Sequence, residues 1–249
     1  DFFANAVEVG FLGKKVINPA DGSEVADLAP GYLKDAGIEV VFVEKWPEEG
    51  FNDWLNLANS IKRSNAELII ALTASAEEAV QITRALKTVR AEPKMVYYSQ
   101  GTQAEFYEGT GGASDSILMH TSWHPAAPYK GLLAGEDFTN AQFVEAFQGE
   151  YGEMPDEDSA IPFAVCQGIE QAMSATGTTD NAALGKWMAE RTSDDPVKTI
   201  LGRFSWDEQG LPIDKPFLVA QWNDGELQFV YPTDEFPDVS NMTYPKSGF

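Results

Sequence analysis

The sequence predicts an α/β fold built on a doubly wound parallel sheet. Through the first half of the chain, short apolar runs rich in β-branched residues alternate with amphipathic helical patterns. One of these runs, ELIIALT at 67–73, is apolar throughout, which is typical of a central strand covered on both faces. Strands that alternate with helices in this way pair in parallel and are joined by right-handed crossovers.

Periodicity, capping residues and turn residues predict the individual elements. Helical patterns cover residues 1–12, 24–36, 52–61, 76–90, 137–149, 161–176 and 180–191, and strand patterns cover residues 14–18, 38–43, 67–73, 94–99, the run from 117 and residues 203–206. Ser75 is well placed to cap the helix that follows it. Late in the chain, FLVAQW and ELQFVY flank Asn-Asp-Gly, which predicts a β-hairpin because these turn residues tolerate positive φ. Residues 100–115 are predicted to be a loop, and the tail from Pro232 is predicted to wrap the surface.

Composition limits the possible classes of function. The 249-residue chain carries a formal net charge of -22, and such an acidic surface would repel the phosphates of a nucleic acid. No apolar run approaches the roughly twenty residues that a membrane-spanning helix needs. The single cysteine, Cys166, excludes an internal disulfide and a cysteine-based zinc site, and its apolar helical surroundings predict a buried thiol. The opening DFFANAVEVG lacks an initiator Met and a signal-peptide pattern, so we expect a processed or truncated product.

The sequence lacks the common motifs of enzymes and metal sites. The glycines of EGTGGAS follow no strand and precede no clear helix, so they do not form a dinucleotide-binding motif. The chain has no GxSxG, P-loop or HExxH motif. His120 and His124 are four residues apart, but they lie in an extended segment that ends in prolines, where this spacing does not direct both rings at one metal. We therefore predict no cofactor, no metal and no catalytic residue.

The candidate binding residues follow from their positions. In an open parallel sheet, ligands bind outside the carboxyl ends of the strands. Those ends carry hydroxyl, amide and small side chains with one acid and one aromatic, which suit hydrogen bonding rather than acid–base chemistry: Asp21, Thr73, Ala74, Ser75, Ser99, Gln100 and Trp123. The sequence leaves structural roles open for some of them, since Ser75 can act as a helix cap and Trp123 can pack at a crossover.

One stretch, ASDSILMHTSWHPAAPY at 113–129, marks a change in the character of the chain. It combines a small-residue loop with one acid, Asp115, an apolar run, and a segment that ends in prolines. We interpret it as a crossover between two packed units. On this interpretation Asp115 faces a cleft and Trp123-His124-Pro125 lie at a hinge, although Asp115 can equally be a loop acid.

The order of several segments resembles one known family. The segments are AGIEVVFVEKWPEEGFNDW, AELIIALTASAEEAV, SDSILMHTSWHPAAPY, EYGEMPDEDSA and TILGRFSWDEQG, followed by AQWNDGELQFVYP. In this order they resemble the type I periplasmic binding proteins of the branched-chain amino acid ABC transporter family. The resemblance implies a type I periplasmic binding protein fold, in which a doubly wound parallel sheet lobe is joined here by the helical part of a second lobe. It covers nearly the whole chain.

The family pattern implies a division of the chain into lobes. Residues 14–123 and 201–231 correspond to the second ligand-binding lobe, residues 124–200 to a mostly helical return into the first lobe, residues 1–13 to a connecting segment, and residues 232–249 to a carboxyl-terminal tail. The amino-terminal part of the first lobe is missing from this pattern. The resemblance therefore leaves room for an oligomer, or for pairing with the missing lobe-one segment, and we expect the chain alone to bind ligand weakly.

The resemblance also implies a function. The chain would be the substrate-binding component of an ABC transporter, located in the periplasm, with an amino acid or related small polar solute as ligand and a membrane permease as partner. Asp115 stands where the family places an acid that pairs with the ligand ammonium, through a charge-assisted hydrogen bond. Small residues at 73–75 and Asp21-Gly22 replace aromatic residues of the family, so the pocket wall is more polar or roomier. The alternatives are a ligand-sensing domain of a receptor or regulator, for instance for amides or ureas, and a hydrolase that uses Asp115 or His120.

Overall fold

A computed structural model describes residues 8–14, 25–47, 50–208, 210–213, 215–216, 218–234, 236 and 239–249, with side chains described from Pro30 onwards. The described residues fall into two compact units. Unit 1 lies within Asp1–Thr121, Val219–Val230 and Val239–Phe249, and unit 2 lies within Ser122–Leu218 and Tyr231–Asp238. Each unit is described separately below.

The described strands of unit 1 form a seven-stranded sheet in the order β12-β11-β5-β4-β3-β1-β2. The strands are β1 (Glu8–Lys14), β2 (Glu39–Trp46), β3 (Leu68–Leu72), β4 (Met95–Tyr98), β5 (Ile117–Thr121), β11 (Leu218–Asn223) and β12 (Glu226–Tyr231). Strand β1 pairs in parallel with β2 and β3, and the pairs β3–β4 and β4–β5 are also parallel. This arrangement confirms the predicted parallel sheet, and it requires helical crossovers between the paired strands.

The helices of unit 1 begin and end where their sequence dictates. They are α1 (Val25–Asp35), α2 (Trp54–Ser64), α3 (Ala76–Val89) and α4 (Ala104–Thr110). The Ser75 side chain accepts a hydrogen bond from the backbone N–H of Glu78, so Ser75 caps α3 as predicted. Helix α3 ends at Arg90, a left-handed residue whose N–H bonds to the last turn. Apolar residues of α2 and α3 are packed with the residues of β3–β5 in one buried core.

The late hairpin closes one side of the sheet. Strands β11 and β12 are joined by Asp224 and Gly225, whose φ angles are 51° and 83°. Two successive positive φ angles are what a tight hairpin turn between right-twisted strands needs. The predicted hairpin is therefore confirmed. Its Trp222 is buried in the unit 1 core and stacks on Tyr107, with the ring centroids 5.7 Å apart.

Unit 2 combines helices with small antiparallel sheets. Its helices are α5 (Asn140–Tyr151), α6 (Glu157–Thr176) and α7 (Asn181–Ala189), and its strands are β6 (Lys130–Leu133), β7 (Glu136–Thr139), β8 (Val197–Thr199), β9 (Gly202–Trp206) and β10 (Pro212–Ile213). Strand β6 pairs with β7, and β8, β9 and β10 form a three-stranded sheet. Each helix is capped by the side chain of the residue before it. Local capping signals thus place all three helices.

A single buried amide organises the start of unit 2. Asn140, which is 1% exposed, accepts a hydrogen bond from the Trp123 indole N–H at 2.6 Å. Its Nδ2 donates to the carbonyl oxygens of His124, Pro125 and Ala127 at 3.0, 3.1 and 2.8 Å. One side chain thereby satisfies the polar groups of a proline-containing segment that cannot form regular secondary structure. Nothing in the linear pattern around Asn140 distinguishes it from any other residue at the start of a helix.

Several predicted elements are wrong. Residues 8–12 belong to strand β1 rather than to a helix, and of the strand predicted at 14–18 only Lys14 is a described strand residue. The predicted loop at 100–115 contains α4 and a 3-10 helix at Gly111–Ser114. The hairpin β6–β7 and strand β8 lack a strong alternating pattern and were not predicted. Strand β1 pairs with strands distant in sequence, and the other elements are short, so periodicity carries little information about them.

Two further predictions differ from the structure. Cys166 is exposed rather than buried, because the buried face of α6 consists of Ala160, Ala164, Gln167, Gly168 and Ala172. The predicted lobe range 201–231 also differs from the contact-defined units, since the described residues up to Leu218 lie in unit 2. The short strands β9 and β10 pair within unit 2 and not with the large sheet. Among the described residues, no helix combines the length and the apolar character needed to cross a membrane.

We expect Asn140→Leu to lower the free energy of unfolding by about 3 kcal/mol, because it leaves a buried indole N–H and carbonyl oxygens without partners. Urea unfolding followed by circular dichroism measures the change, and hydrogen exchange of α5 localises it. The matched control is Asn59→Leu, at an exposed position on α2, which should change stability by less than about 0.5 kcal/mol. Equal stability of Asn140→Leu and the control would contradict the organising role of this amide.

Candidate functional site

The parallel strands place the candidate site at one edge of the unit 1 sheet. The strand order is β2-β1-β3-β4-β5. Strand β2 lies on one side of β1 and β3 to β5 lie on the other, so the topological switch point is between β1 and β3. Ligands of open α/β sheets bind at such a point, outside the carboxyl ends of the strands. The loop Thr73–Ser75 follows β3 and the loop Ser99–Gly101 follows the neighbouring β4. These loops contain five of the predicted binding residues, and the structure brings them together.

Thr73 and Ser99 lock the two loops to each other. The buried Thr73 Oγ1 accepts a hydrogen bond from the Gln100 N–H at 3.0 Å and donates to the Gln100 carbonyl at 3.1 Å. In the other direction, Ser99 Oγ donates to the Thr73 carbonyl at 2.6 Å. Both hydroxyls are therefore engaged within the protein. They make the edge rigid, and Thr73 has no hydroxyl proton left for a ligand.

Ser75 and Ala74 are fixed by the start of helix α3. Ser75 Oγ accepts the Glu78 N–H at 3.2 Å, and Glu78 Oε2 accepts the Ala74 N–H at 2.8 Å. These bonds satisfy backbone donors at the helix start and anchor the turn. Ala74 and Ser75 are both exposed, and the Ser75 hydroxyl keeps its own proton for donation. The structural and the binding interpretations of Ser75 are thus compatible.

The backbone N–H and carbonyl of Gln100 both bond to Thr73 Oγ1. Next to it, Gly101 has a φ of +135°, and a Cβ on Gly101 would lie 2.8 Å from Met119 Cε, so only glycine fits there. The Gly101 carbonyl accepts the Trp222 indole N–H at 2.8 Å. The half-buried Gln100 carboxamide makes no hydrogen bond to the residues that the structure describes. It is a positioned group with both donor and acceptor capacity.

A small cavity adjoins Ser75. Its volume is about 220 Å³, and its described lining comprises Pro47, Gly50, Phe51, Trp54, Ser75, Glu77, Glu78 and Gln81. The rings of Phe51 and Trp54 pack edge to face with their centroids 4.7 Å apart. This volume is below the roughly 300–1,000 Å³ of sites that hold drug-sized ligands, so this cavity would admit only a small solute.

Asp115 does not lie with the other candidates. The register Val96↔Ile117 places Asp115 level with Lys94, before the start of β5, whereas Gln100 lies beyond the end of β4. Six residues of extended chain separate the two levels, which is roughly 20 Å. Asp115 Oδ1 accepts the Asp224 N–H at 3.0 Å, so the carboxylate anchors the hairpin turn. The predicted grouping of Asp115 with the carboxyl-edge residues is wrong, because an acid that precedes a parallel strand lies at the opposite edge.

The tail closes over this opposite edge. The Lys246 ammonium is buried and donates to the carbonyl oxygens of Ala113, at 3.1 Å, and Asp115. Burial lowers the pKa of Lys246 to about 8, although the charge of Asp115 opposes this shift. A similar cation occurs in unit 2, where Lys215 donates to the carbonyls of Ser122 and Leu201, and burial lowers its pKa to about 8. Sequence patterns gave no sign of either lysine.

The remaining candidates have separate positions. Trp123 is 2% exposed within unit 2, where its indole bonds to Asn140 and its ring packs against Phe143. Asp21 lies outside the described residues. His124 is buried, and its Nδ1 accepts the Ala126 N–H at 3.1 Å. Within the described parts of the chain, no group of three or more His, Cys, Asp or Glu side chains could hold a metal ion.

Comparisons with known proteins agree on one family of folds. No family model matches the chain. The chain is 30% identical over 128 residues to Leu/Ile/Val-binding protein homolog 1 of Brucella abortus (strain 2308), over 51% of this chain and 33% of that protein. It is 25% identical over 232 residues to a protein of Pseudomonas aeruginosa named amino acid binding protein, over 90% of this chain and 56% of that protein. The chain thus spans between about a third and just over half of the length of these relatives.

Solved structures show the fold directly. The leucine-binding protein LivK of Thermotoga maritima MSB8 superposes with a TM-score of 0.72 at 19% identity, over 93% of this chain and 63% of that chain. The chain therefore has the type I periplasmic binding protein fold, and the predicted fold class and family resemblance are confirmed. At this identity, the superposition carries information on the fold alone.

We expect Thr73→Val to lower the free energy of unfolding by about 1–2 kcal/mol, since valine keeps the shape of threonine but removes both hydrogen bonds to Gln100. Hydrogen exchange at the Gln100 amide should accelerate about tenfold. The control is Thr88→Val on α3, where an exposed hydroxyl bonds only to the carbonyl one turn earlier. Unchanged exchange at Gln100 would show that Thr73 does not fix this loop.

We expect the free energy of unfolding to rise by up to about 4 kcal/mol between pH 8 and pH 10, about 2 kcal/mol from each of Lys215 and Lys246. In this window the unfolded lysines, with an ordinary pKa of 10.5, hold protons that the folded ones have released, and this difference favours the folded state as the pH increases. Above about pH 10 the trend reverses, because burial raises the pKa of Tyr97 and Tyr98.

Urea unfolding at pH 7, 8, 9 and 10 checks this expectation. Replacing both Lys215 and Lys246 by Met should flatten the rise, whereas replacing the exposed Lys87 by Met should leave it in place. A rise that persists in the double variant would assign the effect to other groups.

Proposed function

We propose that this chain, which has the type I periplasmic binding protein fold and is related in sequence to Leu/Ile/Val-binding proteins, is part of the solute-binding component of an ABC transporter. The observation that carries the proposal is the carboxyl edge of unit 1. There, beside the topological switch point between β1 and β3, the hydrogen-bonded loops after β3 and β4 present a half-buried carboxamide and an exposed hydroxyl with hydrogen-bonding capacity left for a ligand.

The solute is a small polar molecule such as an amino acid. This class is supported by the names of the relatives, one of which is called amino acid binding protein, and by the leucine-binding protein with the same fold. The proposed contacts are made by Ser75 and Gln100, with Thr73, Ala74 and Ser99 shaping the loops. Asp21 remains a proposed contact. The positions of Asp115 and Trp123 do not support direct contact, since Asp115 anchors a hairpin at the other edge and Trp123 is buried in unit 2.

Unit 1 supplies only one wall of the proposed site. We assign unit 1 to the second lobe of the family pattern and unit 2 to the return into the first lobe. Exposed apolar side chains on and beside α5 and α6 support the view that unit 2 packs against further polypeptide, namely Tyr151, Met154, Val165, Ile169 and Met173. A missing lobe-one segment is the proposed partner there, and the proposed partner of the whole protein is a membrane permease facing the periplasm.

The protein acts by binding rather than by catalysis. The relatives are named as binding proteins, which favours this role over a hydrolase. The described carboxyl edge also supports it, because its hydroxyls bond to backbone groups and none of them bonds to a histidine or carboxylate base. Closure of two lobes around the solute would supply the affinity that a single edge lacks.

We expect a small amino acid to raise the melting temperature of the protein in a screen of amino acids, amides, ureas and aromatic acids, because a ligand that binds only the folded state stabilises it. Hydrogen exchange with the bound solute should slow at residues 73–75 and 99–102. The isolated 249-residue chain should bind the same solute much more weakly than a version extended by the amino-terminal part of a relative.

Two outcomes would contradict the proposal. Absence of stabilisation by every member of the panel in the extended protein would exclude a solute-binding role of this class. Protection that appears only outside the two loops would place the solute elsewhere. Nanomolar binding by the isolated chain would instead show that unit 1 does not need a second wall.

A further inference from the structure

The first residue of unit 2 is held by both of its backbone polar groups. Ser122 directly follows the last residue of β5, and unit 2 begins with it. The Ser122 N–H donates to Glu157 Oε2 at 2.9 Å, and the Ser122 carbonyl oxygen accepts a hydrogen bond from the Lys215 ammonium, also at 2.9 Å. Hydrogen bonds to charged groups are stronger than those between neutral groups, so Ser122 is firmly fixed. Glu157 and Lys215 together form the crossing clamp.

Lys215 reaches Ser122 from a half-buried position within unit 2. Its ammonium also donates to the Leu201 carbonyl at 3.2 Å. The same ammonium lies 5.6 Å from the ring centroid of Phe204 and 5.9 Å from that of Tyr129. Burial lowers the pKa of Lys215 to about 8, so the group still carries its charge at pH 7. A charge in such surroundings needs its oxygen partners, which makes the bond to Ser122 more than a loose surface contact.

The residues after Ser122 are attached to the same unit. The Trp123 indole donates to Asn140, and the Asn140 side chain donates to three carbonyl oxygens between residues 124 and 127. Chains bend most easily at a few loop or terminal residues that are able to change φ and ψ. The segment 122–127, which includes the predicted hinge at Trp123-His124-Pro125, is instead tied to unit 2 by buried and charged hydrogen bonds.

The crossing clamp also lies next to a second connection between the units. The chain passes between the units at four places, of which the first is 121–122 and the second is 218–219. Lys215 lies three positions before Leu218, which is fully buried. Its ammonium reaches back to Ser122 across 93 positions of sequence. One side chain therefore joins the unit 2 ends of two connecting segments.

We propose that Glu157 and Lys215 are positioning residues of the proposed solute-binding protein: they fasten the start of unit 2, so that lobe closure bends the first connection at the link 121–122 and not within the segment 122–127. The role in closure rests on the proposed function, in which two lobes close around a solute. A short flexible link limits the directions in which the lobes move. It thereby reduces the number of open arrangements that binding must restrict.

A distance measurement between the units tests the clamp in the 249-residue chain without any solute. Spin labels on the exposed Cys166 in unit 2 and on Lys87→Cys at an exposed position of α3 report the distribution of distances by double electron–electron resonance. Lys215→Met should widen this distribution by about twofold, because Ser122 loses one of its two anchors. Lys215→Arg, which keeps the charge and the N–H donors, should retain the original width.

Hydrogen exchange separates release of the connection from unfolding of unit 2. In Lys215→Met the Ser122 amide should exchange about tenfold faster, while the amides of α6 keep their protection. The matched control is Lys198→Met, at an exposed position of β8, which should change neither measurement. Equal widths in Lys215→Met and the control would overturn the inference. So would an equal acceleration throughout α6, which would give Lys215 a role in stability alone.

Solute binding tests the role of the clamp in closure. In the protein extended as above, Lys215→Met should weaken binding of a panel solute about fivefold, because looser connections leave more open arrangements to restrict. An unchanged affinity beside a widened distance distribution would overturn the role in closure. If no panel solute binds, the proposed function fails, whereas the distance measurement still decides whether the clamp fixes the connection.

Discussion

The parallel pairing of β3, β4 and β5 is the constraint on which the candidate site depends. Parallel strands bring all their carboxyl ends to one edge, so the loops after β3 and β4 meet, and any residue that precedes a strand is excluded from them. This geometry places Gln100 beside Thr73 and places Asp115 at the far edge. The same residues in an antiparallel pair would lie side by side. Strand direction therefore determines which side chains lie at the carboxyl edge.

Much of unit 1 was predictable, because its elements carry strong local signals. A continuous apolar run marks β3, a serine followed by glutamates marks the start of α3, and Asn-Asp-Gly marks the hairpin. In unit 2, the helices α5 to α7 were predictable from the sequence, whereas the small strands were not. They pair with strands only a few residues away, but three or four residues are too few for an alternating period to appear.

The site was predictable as a set of positions but not as a set of roles. Counting strand ends identified Thr73, Ser75, Ser99 and Gln100, which the structure does bring together. Which hydroxyls bond internally and which polar group stays available depends on distances that sequence does not contain. Asp115 illustrates a different error: the family resemblance implies that it pairs with the ligand ammonium, whereas it precedes a parallel strand and its carboxylate bonds to the hairpin turn. An acid is a suitable partner for an ammonium, but only the strand order shows at which edge of the sheet Asp115 lies.

The bond from the Trp222 indole to the Gly101 carbonyl joins two parts of the chain separated by 121 positions. Strand β11, which carries Trp222, is inserted beside β5 and forms the neighbouring part of the same sheet. During synthesis on the ribosome, β3, β4 and β5 are complete long before this tryptophan emerges. The loop that carries Gln100 therefore reaches its final form only after residue 222 has been synthesised. A chain that is interrupted before residue 222 can form most of the parallel sheet and still lack a finished binding edge.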